Sequence, residues 1–179
     1  MTRYPGTLAR AACIACTGAL LACSPRLDWR EIRGVNAPYS VMLPAKPASQ
    51  TRAISIDGQH VVMTMTGADV DGVTFAVGSA ELPDEYTARE ALPAMKTALV
   101  RNIQGTIRSE KSSSPGTVPA TLDIEASGKP DAATDSQPRL LAARFLAKGK
   151  WVFQLVVTGK QSAITHDSID TFFESFKPD

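Results

Sequence analysis

All three cysteines of this chain fall within its first 23 residues, at Cys13, Cys16 and Cys23. From Ser24 onward no thiol is present to form a disulfide or to bind a metal ion as a thiolate. A domain without such crosslinks depends on its hydrophobic core for stability. This feature therefore predicts a domain large enough to bury a substantial core, and it argues against a small disulfide-rich fold.

The N-terminal 22 residues have the composition of a segment that is removed during export. Arg3 and Arg10 supply positive charge, and residues 11–21 are small or apolar. That run suits the core of a signal peptide but is shorter than the roughly 20 residues that a transmembrane helix needs. Cys13 and Cys16 have the Cys-x-x-Cys spacing of some redox and zinc sites. Because they lie in the removed segment, we expect no such site in the mature protein.

Leu20, Leu21 and Ala22 directly precede Cys23, and this pattern resembles the lipobox of bacterial lipoproteins. The resemblance implies cleavage after Ala22 and acylation of both the Cys23 thiol and the new amino group. Two or more acyl chains form a stable membrane anchor. Ser24 stands where an aspartate would retain a lipoprotein in the inner membrane, which implies the outer membrane, facing the periplasm. The alternative is a signal that is uncleaved, or conventionally cleaved, with Cys23 present by chance.

The charge balance of the chain is nearly even. The full chain has 19 basic and 18 acidic residues, and without Arg3 and Arg10 the mature chain has 17 against 18. This balance gives no strongly basic face, so nucleic acid is not an expected partner. The 157 residues that remain after cleavage suit one domain.

Residues 23–38 are predicted to be a short lipidated tether. Trp29 lies among Arg26, Arg30 and Arg33, a composition that suits an anionic membrane surface. The alternative, which we favour, is that Trp29 covers part of the domain's own core. A single domain is predicted over residues 39–179.

Eight stretches of the domain have the alternating pattern or the β-branched composition of strands. Asp57-Gly58 and Asp71-Gly72 are typical of tight hairpin turns, so the first four strands are predicted to form an antiparallel meander. Residues 128–138 hold no large apolar residue and are predicted to be a loop. The predicted strands are 39–43, 51–57, 60–66, 73–82, 106–112, 118–127, 139–147 and 151–158.

Two helices complete the pattern. The first has Thr87 as its expected N-cap, with Glu90 three residues later, and Pro93 predicts either a kink or a later start. Its apolar face is formed by Ala88, Leu92, Met95, Leu99 and Ile103. The second helix places Ile169, Phe172, Phe173 and Phe176 on one face, which we expect to be buried against the sheet.

The order of four strands, a helix, four strands and a helix predicts an α+β fold with a mainly antiparallel sheet of six to eight strands and two main helices. Leu43 to Pro47, the strand that leads into Pro83, and Phe173-Glu174-Ser175-Phe176 resemble the PsbP-like fold of small bacterial lipoproteins and secreted domains. The resemblance implies an α/β/α sandwich over residues 39–177. It transfers no functional residue, because that fold serves unrelated roles.

The candidate chemical motifs all have a structural explanation. His60 and His166 are the only histidines, and no cysteine or close spacing joins them into a metal or catalytic pair. Asp69-Val70-Asp71-Gly72 resembles the start of a calcium loop but is explained by a hairpin turn. Asp84-Glu85 suits a helix N-terminus, and residues 112–114 lack the setting of a serine nucleophile. We therefore predict no catalytic, cofactor-binding or metal-binding residue.

Two classes of function follow. The first is a non-catalytic binding or accessory module, held to the membrane through acylated Cys23, with an envelope protein of unknown identity as its partner. Its contact surface is predicted to be the side of the 128–138 loop or an exposed face of the sheet. The alternative is a periplasmic enzyme whose site uses His60 or His166. Proximity of the two histidines to each other and to a carboxylate in one cleft would favour the enzyme.

Overall fold

The computed structural model describes residues 26–114, 116–129 and 138–179. These residues form an α+β domain with two α-helices, a sheet of seven strands and a second sheet of three strands. Every strand pair is antiparallel. The predicted α+β class and the mainly antiparallel sheet are therefore confirmed. The predicted signal peptide lies outside the described residues, as does most of the 128–138 loop.

The elements follow the predicted order, with one short strand added at each end of the described domain. The strands are β1 (Arg30–Arg33), β2 (Tyr39–Leu43), β3 (Ala48–Ile56), β4 (Gln59–Val70), β5 (Val73–Glu81), β6 (Thr106–Ser112), β7 (Ala120–Gly128), β8 (Arg139–Lys148), β9 (Trp151–Lys160) and β10 (Lys177–Pro178). The helices are α1 (Glu85–Asn102) and α2 (His166–Ser175), with a 3-10 turn at Gln161–Ala163.

The large sheet has the strand order β3-β4-β5-β9-β8-β7-β6. The prediction of a four-stranded meander from residue 39 is wrong for its first strand, because β2 lies between β1 and β10 in the small sheet. The meander instead consists of β3, β4 and β5. β2 packs as part of a separate layer on one face of the large sheet. There Tyr39 contacts Phe153, with ring centroids 5.7 Å apart.

The Asp-Gly pairs form the predicted hairpin turns. Asp57 and Gly58 have φ of 47° and 79°, and Asp71 and Gly72 have φ of 50° and 79°. A two-residue turn with positive φ at both positions matches the twist of the strands that it joins. Glycine adopts this geometry freely, and aspartate tolerates it better than most other residues.

The two faces of the large sheet are covered by different layers. Helix α1 covers one face, where its Ala88, Ala91, Leu92 and Met95 are buried together with sheet residues such as Phe145. The small sheet and α2 cover the other face. There Phe172, Phe173 and Phe176 are all at most 8% exposed, so the predicted burial of the C-terminal aromatic face is confirmed.

The start of α1 differs from the prediction. The N-cap is Asp84 and not Thr87, and the helix continues through Pro93. The backbone N–H of Thr87 donates to Asp84 Oδ1 at 2.8 Å, and the Thr87 hydroxyl donates to Oδ2 at 3.0 Å. Asp84 is the stronger cap because its carboxylate also carries a negative charge at the positive end of the helix dipole. These hydrogen bonds hold the pKa of Asp84 below its usual value.

Candidate functional site

The predicted lipid attachment site at Cys23 and the cleavage position after Ala22 lie outside the described residues. Within residues 26–114, 116–129 and 138–179, no helix is long and apolar enough to cross a membrane. The described chain begins with Arg26, three residues after Cys23.

The chain contacts the domain from Arg26, the third residue after Cys23. Arg26 forms an ion pair with Asp71 in the β4–β5 turn. The backbone N–H of Asp28 donates to the carbonyl of Pro44 at 2.8 Å. Trp29 meets Phe75 edge to face, with ring centroids 5.8 Å apart. This contact confirms the favoured expectation that Trp29 covers the domain's own core.

Strand β1 extends this attachment. Arg30 to Arg33 pair with Leu43 to Ser40 of β2, and Ile32 packs against the core below α2. The prediction of a tether over residues 23–38 is therefore wrong for residues 28–33, which belong to the folded domain. The sequence suggested a tether because this stretch is short and charged. Strand β1 pairs with β2 in the small sheet, a layer that forms only in the tertiary structure.

The two histidines are far apart. His60 lies at the start of β4 and is exposed, whereas His166 begins α2 and is exposed as well. Thr165 lines the same recess as Val70, so His166 lies near the opposite end of β4 from His60. Ten residues of strand separate these ends by about 30 Å. The structure thus does not bring the histidines into one cleft.

The carboxylates at residues 69–72 serve the hairpin turn. Asp69 accepts a hydrogen bond from the Thr74 hydroxyl, and Asp71 pairs with Arg26. No group of three histidine, cysteine or carboxylate side chains in the described part of the chain is arranged to hold a metal ion. Ser113 is likewise engaged in structure, since its hydroxyl accepts a hydrogen bond from the Thr121 N–H at 3.0 Å.

A recess of about 740 Å³ lies between α1 and the β3–β4 hairpin, and we call it the α1 groove. The C-terminal half of α1, from Pro93 to Asn102, forms one wall. The other wall is the β3–β4 hairpin, through residues such as Ile54 and Met65. Its apolar lining includes Ile54, Ile56, Met63, Met65, Met95 and Leu99.

The floor of the α1 groove is kept open by a glycine. Gly78 of β5 pairs with Met65 and with Gln154, both of which line the groove. A Cβ at position 78 would lie 2.6 Å from the Met65 sulfur and 3.3 Å from the Met63 sulfur. The absence of a side chain at Gly78 therefore lets both methionines lie flat on the sheet.

The rim of the α1 groove is polar and carries an excess of positive charge. Arg52, from β3, and Arg101, from the last turn of α1, are both exposed at the rim. Neither arginine forms an ion pair with another residue of the described chain. Among the described residues, Asp57 in the hairpin turn is the one acidic residue that lines the groove.

Sequence reasoning missed this groove. Met63 and Met65 alternate along β4 and were assigned to one face of a strand, and Met95 to the apolar face of a helix. Both assignments are correct. The sequence does not show that a recess remains between these two apolar faces, where Met65 and Leu99 are only partly buried. The one signal was the presence of three of the chain's five methionines in these two elements.

A second recess of about 620 Å³ lies on the other face of the sheet, beside the β1–β2 loop. Its lining includes His60, Trp151 and the Glu81–Lys150 ion pair. Val35 and Val62 also line it and are 55% and 61% exposed. Its lining mixes paired charges with separate apolar side chains. It therefore lacks the continuous apolar interior of the α1 groove.

Two residues with a shifted pKa, Tyr39 and Arg144, lie within the fold and outside both recesses. Burial raises the pKa of the Tyr39 hydroxyl, and a hydrogen bond with Thr66 partly opposes this. The Asp123 carboxylate raises the pKa of Arg144, since it accepts two hydrogen bonds from the guanidinium. Tyr39 connects the small sheet to Thr66 of the large sheet. Arg144 of the large sheet contacts Phe173 of α2.

Compared with known proteins, the chain matches no family model and no curated protein.

Proposed function

We propose that this chain is a lipid-anchored protein of the bacterial cell envelope that acts as a non-catalytic binding module. The anchor is the acylated Cys23, exposed by cleavage after Ala22. The protein is held at the outer membrane and faces the periplasm. The layered arrangement of the described domain also supports the proposal that it has a PsbP-like fold.

The observation that carries the proposal is the short stretch of chain between the lipobox and Arg26, which contacts the domain. Two residues lie between Cys23 and Arg26, and the three steps along the chain span at most about 11 Å when fully extended. From Arg26 the chain is fastened to the β4–β5 turn and then to Phe75. A lipid on Cys23 would therefore hold the β4–β5 end of the domain close to the bilayer, instead of leaving the domain on a long tether.

This geometry also orients the domain. The β4–β5 turn and the β3–β4 turn lie at opposite ends of β4, which spans Gln59–Val70. A strand of this length separates its ends by about 35 Å. The α1 groove includes residues of the β3–β4 turn, so it lies toward the end of the domain that is distant from the membrane. Its position supports a role in binding a molecule from the periplasm.

Metabolic labelling with radioactive palmitate tests the anchor. We expect Cys23→Ser to abolish both labelling and membrane association. The matched control is the double variant Cys13→Ser/Cys16→Ser, which we expect to be labelled as the wild type is. Palmitate labelling that persists in Cys23→Ser would overturn the proposal.

A further inference from the structure

We propose that the α1 groove binds a single acyl chain that carries an anionic headgroup, such as a fatty acid. The inference rests on the proposed role as a binding module and names the chemistry of the ligand. The acyl chain lies between α1 and the β3–β4 hairpin, and the headgroup lies at the rim with Arg52 and Arg101.

The interior of the groove favours an acyl chain over a peptide. The backbone N–H and C=O groups within α1 and β4 are already paired, because α1 bonds internally and β4 pairs with both β3 and β5. β3 is the edge strand of the large sheet and pairs only with β4 among the described strands. A peptide placed between α1 and β4 would leave its own backbone groups without partners, at a cost in free energy. An acyl chain has no such groups. Methionine side chains such as Met63 and Met65 adapt their shape to a flexible chain.

The size of the groove fits one chain. Small-molecule sites have volumes of about 300–1,000 Å³, and the groove has about 740 Å³. The helical wall from Pro93 to Asn102 is about 14 Å long.

The charges at the rim select the headgroup. The lining holds two arginines, Arg52 and Arg101, that have no counter-ion in the described chain, and one carboxylate, Asp57. Arginine forms charge-assisted hydrogen bonds with carboxylates and phosphates, and these are stronger than neutral ones. An anionic headgroup therefore compensates an excess of charge that a neutral headgroup leaves unpaired.

Isothermal titration calorimetry with laurate tests the proposal, with lauryl maltoside as the neutral ligand of equal chain length. Both are used below their micellar concentrations. The protein is the full chain with Cys23→Ser, so that no attached acyl group competes. We expect Arg52→Gln/Arg101→Gln to weaken laurate binding by about tenfold and to leave lauryl maltoside binding unchanged. The control Arg33→Gln/Lys111→Gln removes the same charge from exposed positions outside the groove.

Two further variants act in opposite directions. Asp57→Asn removes the repelling carboxylate, and asparagine tolerates the positive φ at this position, so we expect tighter laurate binding. Ala98→Trp fills the groove from an exposed position on α1, and we expect it to abolish binding of both ligands. Glu90→Trp is its control on the same helix, because Glu90 is exposed and lies outside the groove.

Three results would overturn the inference. They are no laurate binding by the unmodified groove, equal laurate affinity in the arginine double variant, and preferential binding of an acidic peptide over laurate. If Ala98→Trp does not fold, as judged by circular dichroism, the arginine and Asp57 variants decide. Failure here leaves the palmitate labelling of Cys23 unaffected, so the two proposals are tested separately.

Discussion

The indole of Trp29 meets the ring of Phe75 at an interplanar angle of 81°, with the ring centroids 5.8 Å apart. Phe75 is 1% exposed and also contacts Phe172 of α2. Trp29 therefore joins the N-terminal segment to the centre of the core on the α2 side. Edge-to-face pairs of this kind add to the free energy gained by burial.

We expect Trp29→Ala to lower the free energy of unfolding by about 2 kcal/mol, because a half-buried aromatic side chain loses its packing. The N-terminal segment should also loosen, so that trypsin cleaves faster after Arg30 and Arg33. Chemical denaturation and limited proteolysis measure the two effects. The control is Tyr86→Ala, since Tyr86 is 73% exposed. Equal stability of the two variants would contradict the role given to Trp29.

The Arg144–Asp123 pair is predicted to stabilise the sheet. Arg144 donates to both carboxylate oxygens, at 2.7 and 2.8 Å, and lies 5.0 Å from the centre of the Phe173 ring. Both side chains are about 30% exposed, so solvent screens the pair only partly. We expect a double-mutant cycle with Arg144→Met and Asp123→Asn to give a coupling of about 1 kcal/mol.

The Glu81–Lys150 pair is the matched comparison, because its side chains are 46% and 56% exposed. We expect its coupling to be smaller and to decline further with added salt. A larger coupling for Glu81–Lys150 than for Arg144–Asp123 would show that burial does not control the strength of these pairs.

Asp84 is predicted to make stability dependent on pH. Its pKa is lower in the folded state than in the unfolded state, because the carboxylate accepts the Thr87 N–H hydrogen bond. The stabilisation is therefore complete above the unfolded pKa of about 3.9 and is lost as the pH falls through the lower folded value. We expect Asp84→Asn, which keeps a capping oxygen, to reduce the loss of thermal stability between pH 5 and pH 2.5.

Asp84→Ala removes the capping oxygen together with the charge. We expect it to lower the melting temperature at neutral pH by more than Asp84→Asn does, because the Thr87 N–H then has no side-chain acceptor. An unchanged melting temperature in both variants, measured by circular dichroism, would assign the N-cap to another residue.

Two buried glycines are predicted to respond differently to a methyl group. A Cβ at Gly159 would lie 2.8 Å from the Gly72 carbonyl oxygen and 3.1 Å from the Val73 Cα, both of which are backbone atoms. At Gly78 the nearest atom is the sulfur of a flexible methionine. We expect Gly159→Ala to destabilise the fold by about 1–3 kcal/mol, and Gly78→Ala to do so by less. Denaturant unfolding of both variants gives the comparison.

The sequence by itself determined the local elements of this protein. Alternation in β4 and β9, helical spacing in α1 and α2, and the two Asp-Gly turns depend on residues that are close in the chain. The lipobox is local in the same way, and acylation of Cys23 stays a prediction. The sequence predicted Thr87 as the N-cap and gave Asp84 only as a negative charge at the helix N-terminus, and the hydrogen bond from the Thr87 N–H to Asp84 corrects the assignment.

Only the tertiary structure decided which elements share a layer and what stays uncovered. β1 and β2 form their own layer because Trp29 and Tyr39 find partners in Phe75 and Phe153, which are distant in sequence. The α1 groove lies between α1 and the β3–β4 hairpin, which are separate segments of the chain. Contacts between distant segments set both features, and no periodic pattern within one segment encodes them.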